Sequence, residues 1–364
     1  MEFLIEQSTK IENERSTAPD SREVENFVTP AKILETGMAF WASKTLLTAI
    51  KLELFTLLGE GTLSGAEIGT KLNLHPRSLY DFLDALVALG FLERKGIKED
   101  AVYCNTLETS LFLNKTYPSY VGGILEMAND RLYPFWGNLE EGLKTGKPQN
   151  EAKTTDRPIF EAIYAQPQSL ELFLNGMAGA QACNFVALAN RFDFAPYNSL
   201  CDIGGANGLL SVSVARQHPH LHCISADLPP VAPVAERFIQ QSGLSQQIRT
   251  ASLNFFEDNF PAADIITMGN ILHDWGTDVK KMLIRKAWEA LPKGGALIVI
   301  ENIIDNDRRH NAFGLMMSLN MLIETEAGYD FSMHDFDVLA REAGFSSTLL
   351  LPLAGPASAA IAYK

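Results

Sequence analysis

The chain divides by the period at which its apolar residues recur. From about Phe27 to Leu58, the residues Ile33, Phe40, Trp41, Leu47, Ile50, Leu54 and Leu58 fall at helical spacing, which predicts helix. Next come a short helix over Ser64 to Leu72, a turn closed by His75-Pro76, and a helix from Arg77 to Leu89 stopped by Gly90. Phe91 to Arg94 and Val102 to Thr106 read as two short β runs. Residues 116 to 195 continue as helices, interrupted by a polar stretch around Gly146 to Pro158. From Ser199 the period changes. The runs SLCDIG, HCISADL, IRTASLN, ADIITMGN and ALIVIENI alternate with helical segments over Gly208 to His218, Val231 to Ser242, Thr277 to Leu291, Asn311 to Glu326 and Ser332 to Ala343. That alternation predicts a doubly wound α/β fold with a parallel sheet. The final run, SSTLLLPLAGPASAAIAYK, breaks at Gly355-Pro356 into two apolar stretches, a hairpin at the sheet edge.

With 364 residues, 46% of them hydrophobic, the chain can bury two cores. The expected division is a disordered tail over 1–26, a first domain over 27–115, a helical connecting and substrate-pocket segment over 116–195, and the sheet domain over 196–364. The tail is acidic and lacks the apolar core of a signal peptide. No apolar run reaches the ~18–20 residues that span a bilayer. Four cysteines without a C-x-x-C pair fit neither a zinc site nor a disulfide framework, so a reducing cytoplasm is expected.

Residues 27–115 have the pattern of a winged helix-turn-helix, whose usual partner is DNA. The charge argues otherwise. The net formal charge is −14, and the second helix sets Asp81 and Asp84 against Arg77. Acidic faces do not dock on phosphates. Dimerisation is the expected role of this domain, with no nucleic acid and no membrane as partners.

The first run of the sheet domain ends in Asp202-Ile203-Gly204-Gly205-Ala206-Asn207-Gly208, and the helix follows at once. Glycines at that junction let the backbone turn tightly and approach a ligand. The spacing is not the G-x-G-x-x-G of dinucleotide folds, and no basic residue stands close enough to receive a pyrophosphate. Asp227, about 20 residues beyond the turn, is placed to accept ribose hydroxyls, or else to cap the turn before Pro229. An adenosine without phosphates fits these residues, and S-adenosylmethionine carries one. Its cationic end suits an acid such as Asp202.

The run ADIITMGN leads directly into Ile271-Leu272-His273-Asp274-Trp275, which places His273 above the carboxyl edge of the sheet. There an imidazole can take a proton from a hydroxyl. Glu301 and Asp330 are the carboxylates expected to flank the ring. Asp274 is expected to cap the helix starting at Thr277. No close His/Cys spacing reinforces a metal site, and none is expected. Phe135, Trp136, Phe160, Phe173 and Met177 read first as helix-packing residues, though their density also suits a flat apolar ligand. Asn270 and Asn320 could orient ring substituents.

In order and in motif the residues resemble the two-domain S-adenosylmethionine-dependent O-methyltransferases typified by the caffeic acid and acetylserotonin enzymes. The likeness runs over roughly 30 to 364, through DIGGANG, ADLPPV, NFFEDNFP, ILHDW, ALPKGG and AGYDFSMHDFDVLAREAGF. It implies a Rossmann-like class I methyltransferase sheet with a C-terminal antiparallel hairpin, preceded by an all-helical winged-helix domain that forms an intertwined homodimer. It implies that Gly204, beside Gly205, makes a backbone contact to the cofactor, with Asp227 and Leu228 as the ribose pair and Asn254 and Phe255 beside the adenine. Gly269 falls where plant-type members have lysine. The resemblance makes His273 the general base, oriented by Glu301 and Asp330, and gives Met177 and Met321 the role of clamping a flat acceptor. The sequence departs from the family at Ala206, at Leu253-Asn254, and at Tyr329-Asp330-Phe331-Ser332, where Asp330 is one methylene shorter than the usual glutamate. The implied activity is methylation of a hydroxyl on a small aromatic or polyketide-like metabolite. Alternatives are a non-methylating hydroxylation, decarboxylation or cyclisation, methylation at carbon or nitrogen, and a winged-helix regulator.

Overall fold

The computed structural model describes residues 28–117, 119–155, 164 and 167–364. The expected tail and Phe160 lie outside them. Residues up to Ser43 form a unit of their own, and Lys44–Lys364 form the second. In the first unit α1 (Ala31–Met38) buries none of its residues, and Ile33, Leu34, Met38, Phe40 and Trp41 are all exposed. The single helix read over Phe27 to Leu58 is three: α1, α2 (Phe40–Lys51) and α3 (Leu54–Leu58). The break before α3 lies at Glu53, whose left-handed φ of 57° turns Leu54, Phe55 and Leu58 into the core.

In the second unit, strand β1 (Leu63–Ser64) leads into α4 (Gly65–Lys71). Ser64 and Glu67 cap that helix reciprocally, each accepting from the other's backbone N–H. Helix α5 (Leu79–Ala88) buries Leu79, Leu83 and Leu86, and Gly90 then turns the chain at φ 81°. Strands β2 (Leu92–Lys95) and β3 (Val102–Asn105) form the expected wing. This domain is not all-helical, because β1 pairs with β3 and completes a three-stranded sheet. Helices α6 (Leu107–Leu113), α7 (Gly122–Met127), α8 (Tyr133–Trp136), α9 (Leu139–Thr145), α10 (Ala152–Thr155) and α11 (Pro167–Arg191) lead to the large sheet.

That sheet holds β4 (Ser199–Ile203), β5 (His222–Asp227), β6 (Ile248–Ser252), β7 (Ile265–Gly269), β8 (Ala296–Glu301), β9 (Ser347–Pro352) and β10 (Ser358–Tyr363) in the order β6-β5-β4-β7-β8-β10-β9. The first five in that order are parallel, and β10 runs antiparallel to both β8 and β9. Helices α12 (Leu209–Gln217), α13 (Ala232–Gln241), α14 (Thr277–Ala290), α15 (Ala312–Glu324) and α16 (Met333–Ala343) connect the strands. Alternate strand residues feed two cores. Ile266, Met268, Leu297 and Val299 pack with Leu283 and Ile284 of α14 and Phe336 of α16, while Ile265, Ile298 and Ile300 pack with Leu188 of α11 and Val214 of α12. A sheet covered on both faces explains why β8 is an unbroken buried run. The sheet's connections reverse direction on either side of β4, so the carboxyl ends of β4 and β7 form the crevice where such folds bind ligands. Among the described residues, no helix is long and apolar enough to cross a membrane.

Candidate active site

The turn after β4 is built by close approach. Gly204 and Gly208 take left-handed φ values of 70° and 84°, and a Cβ on Gly205 would sit 2.3 Å from the Ser225 hydroxyl. Ala206, where the resemblance has a third glycine, is also left-handed at φ 49°, a strained conformation for a residue with a Cβ. Asp227, at the end of β5, holds this turn in place. Its Oδ2 accepts the Ala206 N–H at 2.9 Å and its Oδ1 accepts the Leu228 N–H at 2.7 Å, so it does cap the turn before Pro229. Burial pushes its carboxyl up to about 6. Asp202 is buried below the turn and accepts the Thr267 hydroxyl at 2.7 Å; burial pushes it up to about 7.

Asn254 follows β6, and its side-chain oxygen accepts the Phe256 N–H at 3.1 Å. Phe255 is half-buried, with its ring 5.9 Å from that of Trp275. At Gly269, the end of β7, a Cβ would meet the Phe185 ring at 3.5 Å. Asp202, the glycine turn, Asp227, Leu228, Asn254, Phe255 and Gly269 therefore line the carboxyl ends of four adjacent strands.

Asn270 carries the chain off β7 at a left-handed φ of 52°, which a short amide tolerates, and its Oδ1 is buried with no hydrogen-bond partner among the described residues. The short 3₁₀ turn that follows, Leu272–Asp274, delivers His273 almost fully buried. Its Nδ1 lies 3.4 Å from Glu301 Oε2 and 3.5 Å from Asp330 Oδ1, and its backbone N–H donates to Glu301 Oε1 at 3.2 Å. The shorter Asp330 thus approaches the ring as closely as Glu301. Burial opposes a charge on this imidazole. The carboxylates of Glu301, Asp274 and Asp330 outweigh it and raise the ring to about 10. Burial pushes Glu301 up to about 7 and Asp274 to about 6, against the downward pull of the His273 charge on each.

Asp274 does not cap the next helix. Gly276 is the N-cap of α14, without a side-chain bond, and the Asp274 carboxylate lies 3.5 Å from His273 Nε2 instead. Two further residues carry no motif that marks them for the site. Gly328 lets the segment before Asp330 lie directly on the His273 turn, since a Cβ there would stand 2.6 Å from the His273 carbonyl and 2.7 Å from that of Asp274. Lys280 of α14 is fully buried behind the cluster, and burial lowers its ammonium to about 8. It lies at helical spacing from the buried Leu283, Ile284 and Ala287, so a lysine on an apolar stripe is the signal the sequence offers. One donor atom each from His273, Glu301 and Asp330 falls within 4.8 Å of the others, a spacing that also suits a cation. The Lys280 ammonium behind them opposes a second positive charge.

Trp136 Nε1 donates to Asn320 Oδ1 at 2.8 Å, which ties α8 to α15 and occupies the amide oxygen expected to face a ligand. Arg131 braces the same two helices. It ion-pairs with Glu151 at 2.7 Å and Glu324 at 3.2 Å, and it lies over the Phe135 ring. Met321 is buried on α15, and Met177 is half-buried on α11. Phe173 packs with Ala206 of the glycine turn around Leu170, Leu174 and Val231, as does Tyr164, which no sequence motif singles out.

Residues 136–346 match the O-methyltransferase domain, and residues 34–115 match the O-methyltransferase dimerisation domain. The tetracenomycin polyketide synthesis 8-O-methyl transferase TcmO of Streptomyces glaucescens is 37% identical over 335 residues, 92% of this chain and 97% of that one. The N,N-dimethyltransferase OxyT of Streptomyces rimosus is 31% identical over 314 residues, 86% of this chain and 90% of that one. The crystal structure of human N-acetylserotonin methyltransferase in complex with SAM aligns with a TM-score of 0.85 at 26% identity, over 95% of this chain and 99% of that one.

Proposed function

The chain belongs to the O-methyltransferase family, which depends on S-adenosylmethionine, and from that premise we propose that it methylates a hydroxyl of an aromatic, polyketide-type small molecule with His273 as general base. The observation that carries this reading is the buried imidazole set among three carboxylates. Nδ1 faces both Glu301 and Asp330, so Nε2, with Asp274 beside it at 3.5 Å, is the nitrogen that meets an acceptor hydroxyl.

The residues at the strand ends fit the cofactor. Each oxygen of Asp227 accepts one backbone N–H and retains a lone pair for a hydroxyl, and Phe255 offers an apolar face beside Asn254. When bound, the cofactor supplies an electrophilic methyl group on a cationic sulfur. Trp136, Asn320 and Met321 form the wall that aligns a flat acceptor, and alignment is the larger share of such a transfer. The polyketide chemistry in the name of the Streptomyces glaucescens relative supports that acceptor class. The exposed Leu34, Met38, Phe40 and Trp41 fall inside the matched dimerisation region, which supports a homodimer.

His273→Ala tests the reading. The variant should bind S-adenosylmethionine as the parent does and lose most turnover with phenolic acceptors; unchanged turnover would remove the base role. Methyl-labelled cofactor, followed by mass spectrometry of the product, separates O-methylation from N-methylation, the activity named for the Streptomyces rimosus relative. An unlabelled product would point to a non-methylating reaction.

A further inference from the structure

We propose that Lys280 is a positioning residue for this reaction: its buried ammonium fastens the His273 turn to the Asp330 segment and offsets their carboxylates, so that His273 can release its proton. The inference rests on the reading of His273 as base.

A fully buried lysine is costly to fold unless its donors are satisfied. Lys280 Nζ donates to the carbonyl oxygen of Trp275 and, at 3.0 Å, to that of Tyr329. It also lies 3.5 Å from the centre of the Tyr329 ring and 5.6 Å from that of Phe331. Every one of these contacts belongs to one of two segments. Trp275 ends the turn that carries His273 and Asp274, and Tyr329 and Phe331 flank Asp330. The lysine therefore joins the two pieces of chain whose spacing sets the 3.5 Å approach of Asp330 to the ring.

Its charge acts on the same groups. Among the described residues, no carboxylate lies close enough to Lys280 to form a direct ion pair, so Glu301, Asp330 and Asp274 meet it through space. Asp274 faces His273, Lys280 and Asp330, and its charge is also felt by Glu324 and by the Tyr164 phenol. While Lys280 is charged, the three carboxylates face a second cation besides a protonated His273. Without the ammonium every proton in this cluster is held more tightly, and the coupled steps all move to higher pH. Loss of the ammonium therefore moves proton release by His273 still further above neutral pH.

The test compares Lys280→Met, Lys280→Gln and Lys280→Arg in the full chain. Glutamine can still donate to the two carbonyls but carries no charge, and arginine keeps the charge. Two readouts are followed: the ascending limb of kcat/KM against pH, and the ¹⁵N titration of the His273 imidazole, assigned from the spectrum of His273→Gln. Thermal melting and cofactor binding establish that each variant is folded. We expect the Met and Gln variants to move both readouts alkaline by roughly one pH unit, with Arg close to the parent. Unmoved readouts in folded Met and Gln variants, or an equal displacement in all three, would overturn the proposal. The imidazole titration does not depend on turnover, so it still reports on Lys280 if His273→Ala shows that the base lies elsewhere.

Discussion

The carboxylate of Asp274 stands 3.5 Å from Nε2 of His273, across the ring from Glu301 and Asp330. The imidazole is therefore enclosed by acids on both edges, and its proton is held well above the ordinary histidine range. Of the three acids, Asp274 is the one beside Nε2, the nitrogen proposed to meet the acceptor. It shapes the base without fixing the orientation that the Nδ1 pair imposes.

Asp274→Asn should accordingly lower the imidazole's affinity for its proton while leaving its orientation intact. Removing a neighbouring anion favours the neutral ring, so the ascending limb of the kcat/KM profile should move to lower pH by about one unit. Glu301→Gln removes an anion too, but it also loosens the grip on Nδ1, so its loss of kcat should be larger than that of Asp274→Asn. Equal pH profiles for Asp274→Asn and the parent would show that the Nε2-side carboxylate is electrostatically silent.

Gly328→Ala tests the packing that brings Asp330 to the ring. The added Cβ would meet the His273 and Asp274 carbonyls at 2.6 and 2.7 Å, and backbone atoms cannot step aside as a side-chain end can. The segment carrying Asp330 must then move away. Steady-state kinetics should show kcat falling by ~10²-fold, the scale expected when reacting groups are misplaced by about an ångström. Cofactor affinity should be little changed, because no atom near that Cβ belongs to the glycine turn.

Trp136→Phe should act on the acceptor instead. It removes the indole N–H that the Asn320 side-chain oxygen accepts and frees α8 from α15 at that point. Losing one such hydrogen bond costs about 1 kcal/mol. KM for the acceptor should rise several-fold with kcat nearly preserved, whereas a matching rise in the cofactor dissociation constant would place this pair elsewhere in the cycle.

The sheet and the glycine turn were legible because their signals are local. An unbroken run such as ALIVIE has one stable setting, a strand covered on both faces, and a Gly-Gly pair after a strand has few uses other than a tight turn. The misread features depend on contacts between distant segments. Nothing near Glu53 marks a break, since a left-handed glutamate is imposed by the core that Leu54 and Phe55 enter. Asp274 stands where a cap would, yet Gly276 holds that position and frees the carboxylate for His273. Lys280 lies on the buried stripe of α14, but only the folded chain sets Tyr329 and Phe331 over it.

The buried acids make the ligand-free protein's stability depend on pH in an unusual direction. Asp227 and Asp274 are raised to about 6, and Asp202 and Glu301 to about 7, so each binds its proton more tightly folded than unfolded. A carboxyl raised this way contributes most below its unfolded value near 4 and loses that contribution as pH rises through its folded value. His273, raised to about 10, adds stability that is complete below about 6.5 and declines above it. Lys280, lowered to about 8, runs the other way, but only between about 8 and its unfolded value near 10.4. From pH 5 to pH 8 the carboxyl and imidazole contributions fall together. Urea unfolding of the cofactor-free protein should therefore show stability dropping by a few kcal/mol, since a tenfold change in one group's proton affinity is worth about 1.4 kcal/mol. Asp227→Asn, which has no charge to bury, should flatten that slope. A parent protein that grows more stable from pH 5 to 8 would mean that these acids are not held in the environment described.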